Sequence, residues 1–155
     1  MNRDFAIVIL AAGLGTRLKS RQAKVLHRAG GKTLIELVAA TAVQLAPAGQ
    51  VYVVVGHQAD QVQAAAGGLG VRFGYRIDQD PATEDVQKAA GGLGVRFLLQ
   101  EPQLGTGHAV LIARQELESG PPRVLVLYGD CPLVRAATLE SLMRLAAARV
   151  PVGFA

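Results

Sequence analysis

Three short apolar runs, Phe5–Leu10, Val51–Val55 and Val124–Tyr128, are continuous, not alternating with polar residues. A strand apolar at successive positions shows apolar side chains to both faces, and only a sheet covered on both sides buries them. Such sheets are parallel, and parallel neighbours need crossover connections, usually helices. The intervening segments supply them. Residues about 33–46, 58–66, 105–119 and 136–148 carry apolar residues at three- and four-residue spacing, as in Leu139, Leu142, Met143 and Ala146. Gly120-Pro121-Pro122 closes the third of these helices, because proline cannot continue it. The alternation predicts an α/β fold of three layers around a mostly parallel sheet. Right-handed crossovers then bring the C-terminal ends of the strands, with the loops that follow them, to one ligand-binding edge.

The 155 residues, half of them hydrophobic, suit a single domain spanning the chain, with a core that needs no staples. One cysteine, Cys131, excludes an internal disulfide framework and fits a reducing, cytoplasmic setting. No apolar run approaches the roughly 20 residues of a membrane helix, so no membrane partner is expected. Phe5 to Ala12 imitates a signal-peptide core, but one Arg and one Asp make a poor basic leader and no cleavage site follows. A buried strand entering a Gly-rich loop accounts for it better. The net charge of +4 is spread along the chain, and the four Phe and three Tyr do not interleave with a basic cluster. Nucleic acid is therefore not an expected partner. The local concentration of Arg17, Lys19, Arg21 and Lys24 behind the Gly-rich loop is better suited to a polyphosphate.

The sequence also repeats itself. Val62 to Phe73 recurs as Val86 to Phe97, 24 residues later, with one difference, Ala64 against Lys88. Two copies are too few for a solenoid. A tandem duplication of a helix end, a Gly turn and a strand start is the plainer account. Only the second copy runs into Leu98-Leu99-Gln100, so it is expected to hold the sheet position, the first copy and residues 74–85 forming a surface excursion.

Four segments carry chemistry. Leu10-Ala11-Ala12-Gly13-Leu14-Gly15-Thr16-Arg17 follows a strand, and its glycines let successive amide N–H groups turn toward phosphate oxygens. Arg17 adds a planar fork for bidentate phosphate contact. Leu18 occupies the third glycine position of a dinucleotide fingerprint, and no Gly-Lys-Ser/Thr follows as in a P-loop. A ligand-free strand-to-helix turn would use the same glycines. Lys24 offers a mobile point charge, although a lone lysine is as readily a solvated one. In Gln100-Glu101-Pro102-Gln103-Leu104-Gly105-Thr106-Gly107-His108, amide side chains match a pyrimidine edge and Gly105 allows close approach of a base. Thr106 suits a helix start, which is also what a ligand-free turn would need. Tyr128-Gly129-Asp130-Cys131-Pro132-Leu133 places a carboxylate at a strand C-terminus, where Asp130 is the candidate Mg²⁺ ligand or else a turn former. His27, His57 and His108 lack metal-ligand spacing and read as hydrogen-bonding or packing residues. Cys131 has no evident base partner in the sequence and is not read as a nucleophile.

In this order the segments LAAGLGTRL, AKVLH with GGKTL, QEPQLGTGHA and YGDCPL resemble the uridylyltransferase domain of bacterial N-acetylglucosamine-1-phosphate uridylyltransferases. These enzymes are usually bifunctional, with a left-handed β-helix acetyltransferase domain following. The resemblance covers about residues 5–61 and 95–155. It implies a Rossmann-like nucleotide-diphospho-sugar transferase fold. The implied reaction is transfer of UMP from UTP to N-acetylglucosamine-1-phosphate, giving UDP-N-acetylglucosamine and pyrophosphate for the cell wall.

By the same resemblance, Leu10, Ala11, Ala12, Gly13, Gly15 and Thr16 belong to the nucleotide site, while Arg17 and Lys24 hold phosphates as catalytic groups. Gln100, Gly105 and Thr106 meet the uracil, and Tyr128, Gly129 and Asp130 lie beside the ribose and the magnesium ion. Ala23 stands where the family has proline, which predicts a looser loop around Lys24. The 24-residue insert precedes the strand that delivers Gln100 and is expected to bear on the uracil loop. The sequence ends at Val150–Ala155, in what reads as the next strand. The family's sugar-binding residues, second metal ligand and acetyltransferase domain follow that point. An open sheet edge there predicts self-association. A UTP- or UDP-sugar-binding module without turnover, and a related transferase for another nucleotide or sugar, are the alternatives.

Overall fold

The apolar run Phe5–Leu10 forms β1, buried from Phe5 to Ile9 and flanked by a parallel strand on each side. The computed structural model describes residues 3–13, 23–56, 72–73, 95–100, 102 and 104–148, with 72–73 described by backbone alone. After β1 come a 3-10 turn, Lys24–Leu26, and a short antiparallel hairpin, β2 (Arg28–Ala29) with β3 (Lys32–Thr33), turning at Gly30-Gly31. Helix α1 (Leu34–Leu45) is followed by a 3-10 turn at Ala48–Gln50 and strand β4 (Val51–Val55). Strands β5 (Arg72–Phe73) and β6 (Arg96–Leu99), helix α2 (Thr106–Glu118), strand β7 (Arg123–Tyr128) and helix α3 (Ala136–Ala148) complete the order.

The main sheet runs β5-β6-β4-β1-β7, every pairing parallel. One face of β1 and β4 (Ile7, Ile9, Val53, Val55) packs against α1, the Val25–Leu26 turn and α3. The other face (Ala6, Val8, Val54) packs with Leu98 against Ala109 and Ala113 of α2. Helices cover both faces, in the three layers of a Rossmann-like α/β fold.

Helix α1 shows why its sequence folds as it does. Ile35, Val38, Ala39, Ala42 and Leu45 recur at helical spacing and are all buried. Its start is a reciprocal capping box: Thr33 Oγ1 accepts from the Glu36 N–H, and Glu36 accepts from the Thr33 N–H at 2.6 Å. Pro47 lies just beyond its end.

The helices expected at about 33–46, 105–119 and 136–148 are α1, α2 and α3; the one expected at 58–66 lies outside the described residues. Two expectations are corrected. The continuous run 124–128 predicts cover on both faces, but in β7 burial alternates, with Val124, Val126 and Tyr128 exposed. The reason is placement: α2 packs on β1, β4 and β6, and among the described residues β7 lies beyond them at the end of the sheet.

The duplicated segment is the second correction. Its second copy does hold the sheet position, as β6 beside β4. The first copy is not wholly an excursion, because β5 pairs with β6 in parallel, Arg72 against Arg96 and Phe73 against Phe97. At these two positions identical residues lie side by side, with Arg72 and Phe73 at the edge of the described sheet. Residues 74–85 lie outside the described residues.

Candidate functional site

All five strands of the sheet are parallel, so the carboxyl ends of β1, β6 and β7 share one edge. Each chain segment leaving that edge makes one further ladder bond before turning away. The Ala11 N–H donates to Val54 O at 2.8 Å, Gln100 N–H to Val55 O at 2.7 Å, and Gly129 N–H to Leu10 O at 2.9 Å. These bonds fix where the three loops begin.

Between the loops lies a cavity of about 310 Å³, within the usual size range of small-molecule sites. Of the residues proposed from sequence, Leu10, Ala12, Gly13, Lys24, Gln100, Gly105, Thr106, Tyr128 and Asp130 line it. Ala11 is buried, its N–H committed to β4. Gly129 is buried behind the lining. A side chain there would meet Val25 Cγ1 at 3.0 Å and Leu10 O at 3.1 Å, so the close approach of β7 to β1 requires glycine. Gly15, Thr16 and Arg17 lie outside the described residues, as does His57.

The charged pole of the cavity is an ion pair between Lys24 Nζ and Asp130 Oδ2. The lysine bond, with its charge, holds the Asp130 carboxyl below the usual aspartate range against the opposing effect of burial. Ala23 sits just before Lys24 with φ −56° and ψ 136°, dihedrals a proline would also adopt. The backbone at Ala23 thus takes the conformation that a proline would take. Cys131 Sγ lies 3.6 Å from Asp130 Oδ1, and burial together with that carboxylate pushes the thiol up, away from nucleophilic thiolate character.

Asp130 fits a magnesium ion on its donor chemistry. Magnesium is commonly held by one or two carboxylates plus substrate phosphates, and this carboxylate already holds a cationic partner inside the cavity. Among the described residues no group of three or more His, Cys, Asp and Glu gathers into an all-protein cage. Asp130 would supply one carboxylate ligand, beside oxygens of the substrate's phosphates.

The opposite pole is amide chemistry. Gln100 is only 3% exposed, and its Nε2 donates to Gly105 O at 2.8 Å and lies 3.1 Å from His108 Nδ1. Gly105, at φ 94°, occupies the N-cap of α2, a left-handed conformation that favours glycine. Thr106 is the first helical residue and not the cap, which places it in the cavity wall.

Val25 and Ala109 also line the cavity, though neither was proposed as a site residue. Ala109 carried a signal: it lies one turn into a helix after a Gly-rich loop, on the face turned to the sheet. The contact of His108 with Gln100 was not visible in a linear spacing read for metal ligands.

Comparison with known proteins gives the chain's family. The MobA-like NTP transferase domain matches residues 7–152. The bifunctional protein GlmU of Solibacter usitatus is 48% identical over 95% of this chain, and that of Koribacter versatilis 41% identical over 91%. Those alignments take in 26% and 25% of the relatives, so the chain spans about a quarter of the length of the curated proteins it matches. In fold, the crystal structure of Rv0371c from Mycobacterium tuberculosis H37Rv superposes with a TM-score of 0.65 at 20% identity, covering 96% of this chain and 63% of that one. The matched span takes in nearly the whole chain, which belongs to the MobA-like NTP transferase domain family.

Proposed function

We propose that this chain binds UTP and serves the transfer of UMP to N-acetylglucosamine-1-phosphate, forming UDP-N-acetylglucosamine and pyrophosphate. The observation that carries this reading is the convergence of Lys24, Asp130, Gln100 and Gly105 on one cavity at the strand ends. The similarity to GlmU proteins supports the choice of nucleotide and sugar. A cytoplasmic setting and a place in cell-wall precursor synthesis belong to the same reading. No helix among the described residues is long and apolar enough to cross a membrane.

In the reaction, a phosphate oxygen of the sugar-1-phosphate attacks the α-phosphorus of UTP. A new P–O bond forms as the bond to the bridging oxygen breaks, and pyrophosphate leaves with that oxygen. Such a transfer calls for positioning and charge neutralisation more than for a protein nucleophile. Lys24 supplies a cation to the phosphates, and Arg17 supplies a second. Asp130 would hold Mg²⁺, which would supply neutralisation of phosphate charge. Gln100 and Gly105 receive the uracil, while Leu10 and Ala12 give the nucleotide an apolar wall.

Calorimetric titration with UTP and Mg²⁺, with CTP as control, followed by a pyrophosphate-release assay with the sugar phosphate, tests this. Selective UTP binding with release supports the transferase. Selective binding without release points to a nucleotide-binding module. A cooperatively melting chain that binds neither nucleotide defeats the reading. The exposed row Val124, Val126 and Tyr128 on β7 favours, in addition, self-association of this chain. Sedimentation velocity showing a monomer at all concentrations would count against that.

A further inference from the structure

The amide of Gln100 is oriented by what it touches. Gly105 O can only accept a hydrogen bond, so the group 2.8 Å from it is the Gln100 NH₂ and not the carbonyl. That NH₂ has a second hydrogen, and His108 Nδ1 lies 3.1 Å from the same nitrogen. For the contact to be a hydrogen bond the ring must accept through Nδ1 and carry its proton on Nε2. Both donors of Gln100 are then committed inside the protein. The hydrogen-bonding group that remains for a ligand in the cavity is Oε1, a pure acceptor.

We propose that His108 is a positioning residue for base selection: by taking the second Gln100 N–H, it leaves the site an acceptor and so favours a pyrimidine with N–H at position 3. Uracil has that N–H; cytosine has a lone pair there. This rests on the uridine reading above and adds to it the residue that makes Gln100 discriminate. Without an acceptor at 108, only the Gly105 bond holds the amide, which can then rotate to give a ligand lone pair an N–H, and cytosine is less strongly refused. A site built around one committed polar group rejects the wrong partner because the group is left unpaired. The arrangement also explains the burial of Gln100, since a buried amide needs partners for its donors.

The test compares UTP and CTP binding by calorimetry for the wild-type chain, His108→Leu and His108→Asn, with thermal melts to confirm folding. Asn can present an oxygen near the position of Nδ1. The expected result is that His108→Asn keeps the wild-type preference for UTP, while His108→Leu loses roughly fivefold or more of it, the equivalent of one hydrogen bond. An unchanged UTP-to-CTP ratio in a folded His108→Leu chain overturns the proposal. Nitrogen-15 NMR of the wild-type ring adds a readout independent of nucleotide and of mutation. Protonated Nε2 with bare Nδ1 is expected, and a proton on Nδ1 overturns the assignment. A wild-type chain indifferent to the two nucleotides defeats the uridine reading itself, an outcome distinct from a selective wild type whose His108→Leu variant is equally selective.

Discussion

Lys24 and Asp130, 106 residues apart in sequence, are ion-paired inside the cavity. The pair joins the segment after the Gly-rich loop to the end of β7. Lys24 thereby occupies the carboxylate to which a divalent cation would bind, and its own charge is the one proposed for phosphate.

Two opposite consequences follow for Lys24→Met. Without nucleotide, the variant leaves Asp130 without its cationic partner, and Mn²⁺ affinity rises. Both side chains are partly exposed, so the pair is worth about 1 kcal/mol or less and the gain is about fivefold at most. With nucleotide present, the loss of a phosphate contact makes UTP binding weaker. Paramagnetic resonance titration of Mn²⁺, with and without UTP, separates the two. Unchanged Mn²⁺ affinity in the nucleotide-free variant would show that Lys24 does not compete for Asp130.

Gly129→Ala is expected to destabilise the chain by roughly 1–3 kcal/mol, in the range of overpacked cores. The added methyl meets Val25 Cγ1 at 3.0 Å, Leu10 O at 3.1 Å and Ile35 Cδ1 at 3.4 Å. Leu10 O has little freedom to retreat, since it accepts the Gly129 N–H. Chemical denaturation measures the loss, and a neutral substitution would mean that β7 moves off β1 without cost.

Much of this fold was legible because its signals are local. Continuous apolar runs marked β1 and β4, and the three- and four-residue spacings marked α1 and α3. The loops gathered at the cavity followed from parallel order alone, since strand ends of a parallel sheet share an edge. What was not legible depended on neighbours. Val124 to Tyr128 looks like β1 in sequence, yet whether α2 reaches it is set by where that helix lies over the sheet. The contact of Gln100 with His108 depends on the turn at Gly105 that folds one back on the other. The pairing of β5 with β6 required knowing that the sheet had room for another strand beyond β6.

The capping box predicts a pH dependence. The Glu36 carboxyl is held below the usual glutamate range, first by the Thr33 N–H and hydroxyl bonds, then by the charges of Arg28 and Lys32, with burial opposing. A lowered folded value means the stabilisation is present above the ordinary glutamate value and is lost as pH falls through the lowered one. Glu36→Gln should therefore melt below the wild type near neutrality, with the gap narrowing once pH drops below about 4. Thr33→Ala, which removes the other half of the box, should cost about 0.5–2 kcal/mol. Melts of both variants from pH 3 to 7 check this, and a gap for Glu36→Gln that stays constant in acid would contradict it.

Deleting residues 62–85 removes one copy of the repeat and tests which copy the site depends on. Both copies contain Val-Arg-Phe, and nothing in those three residues distinguishes them. The difference lies beyond. Phe73 is followed by Gly74-Tyr75-Arg76, whereas Phe97 continues into Leu98 and Leu99 of β6 and delivers Gln100 to the cavity. Strand β5 adds only two register pairs, at the edge. The shortened chain retains the copy that feeds β6, so it should melt cooperatively within a few degrees of the full chain. Its affinity for UTP should be unchanged, because the Gln100 amide and the Gly105 turn follow from β6 alone. A large drop in melting temperature with UTP affinity preserved would show that the edge strand contributes to the sheet's stability only. Loss of UTP binding in a chain that still melts cooperatively would show that the first copy holds β6, and through it Gln100, in register against β4.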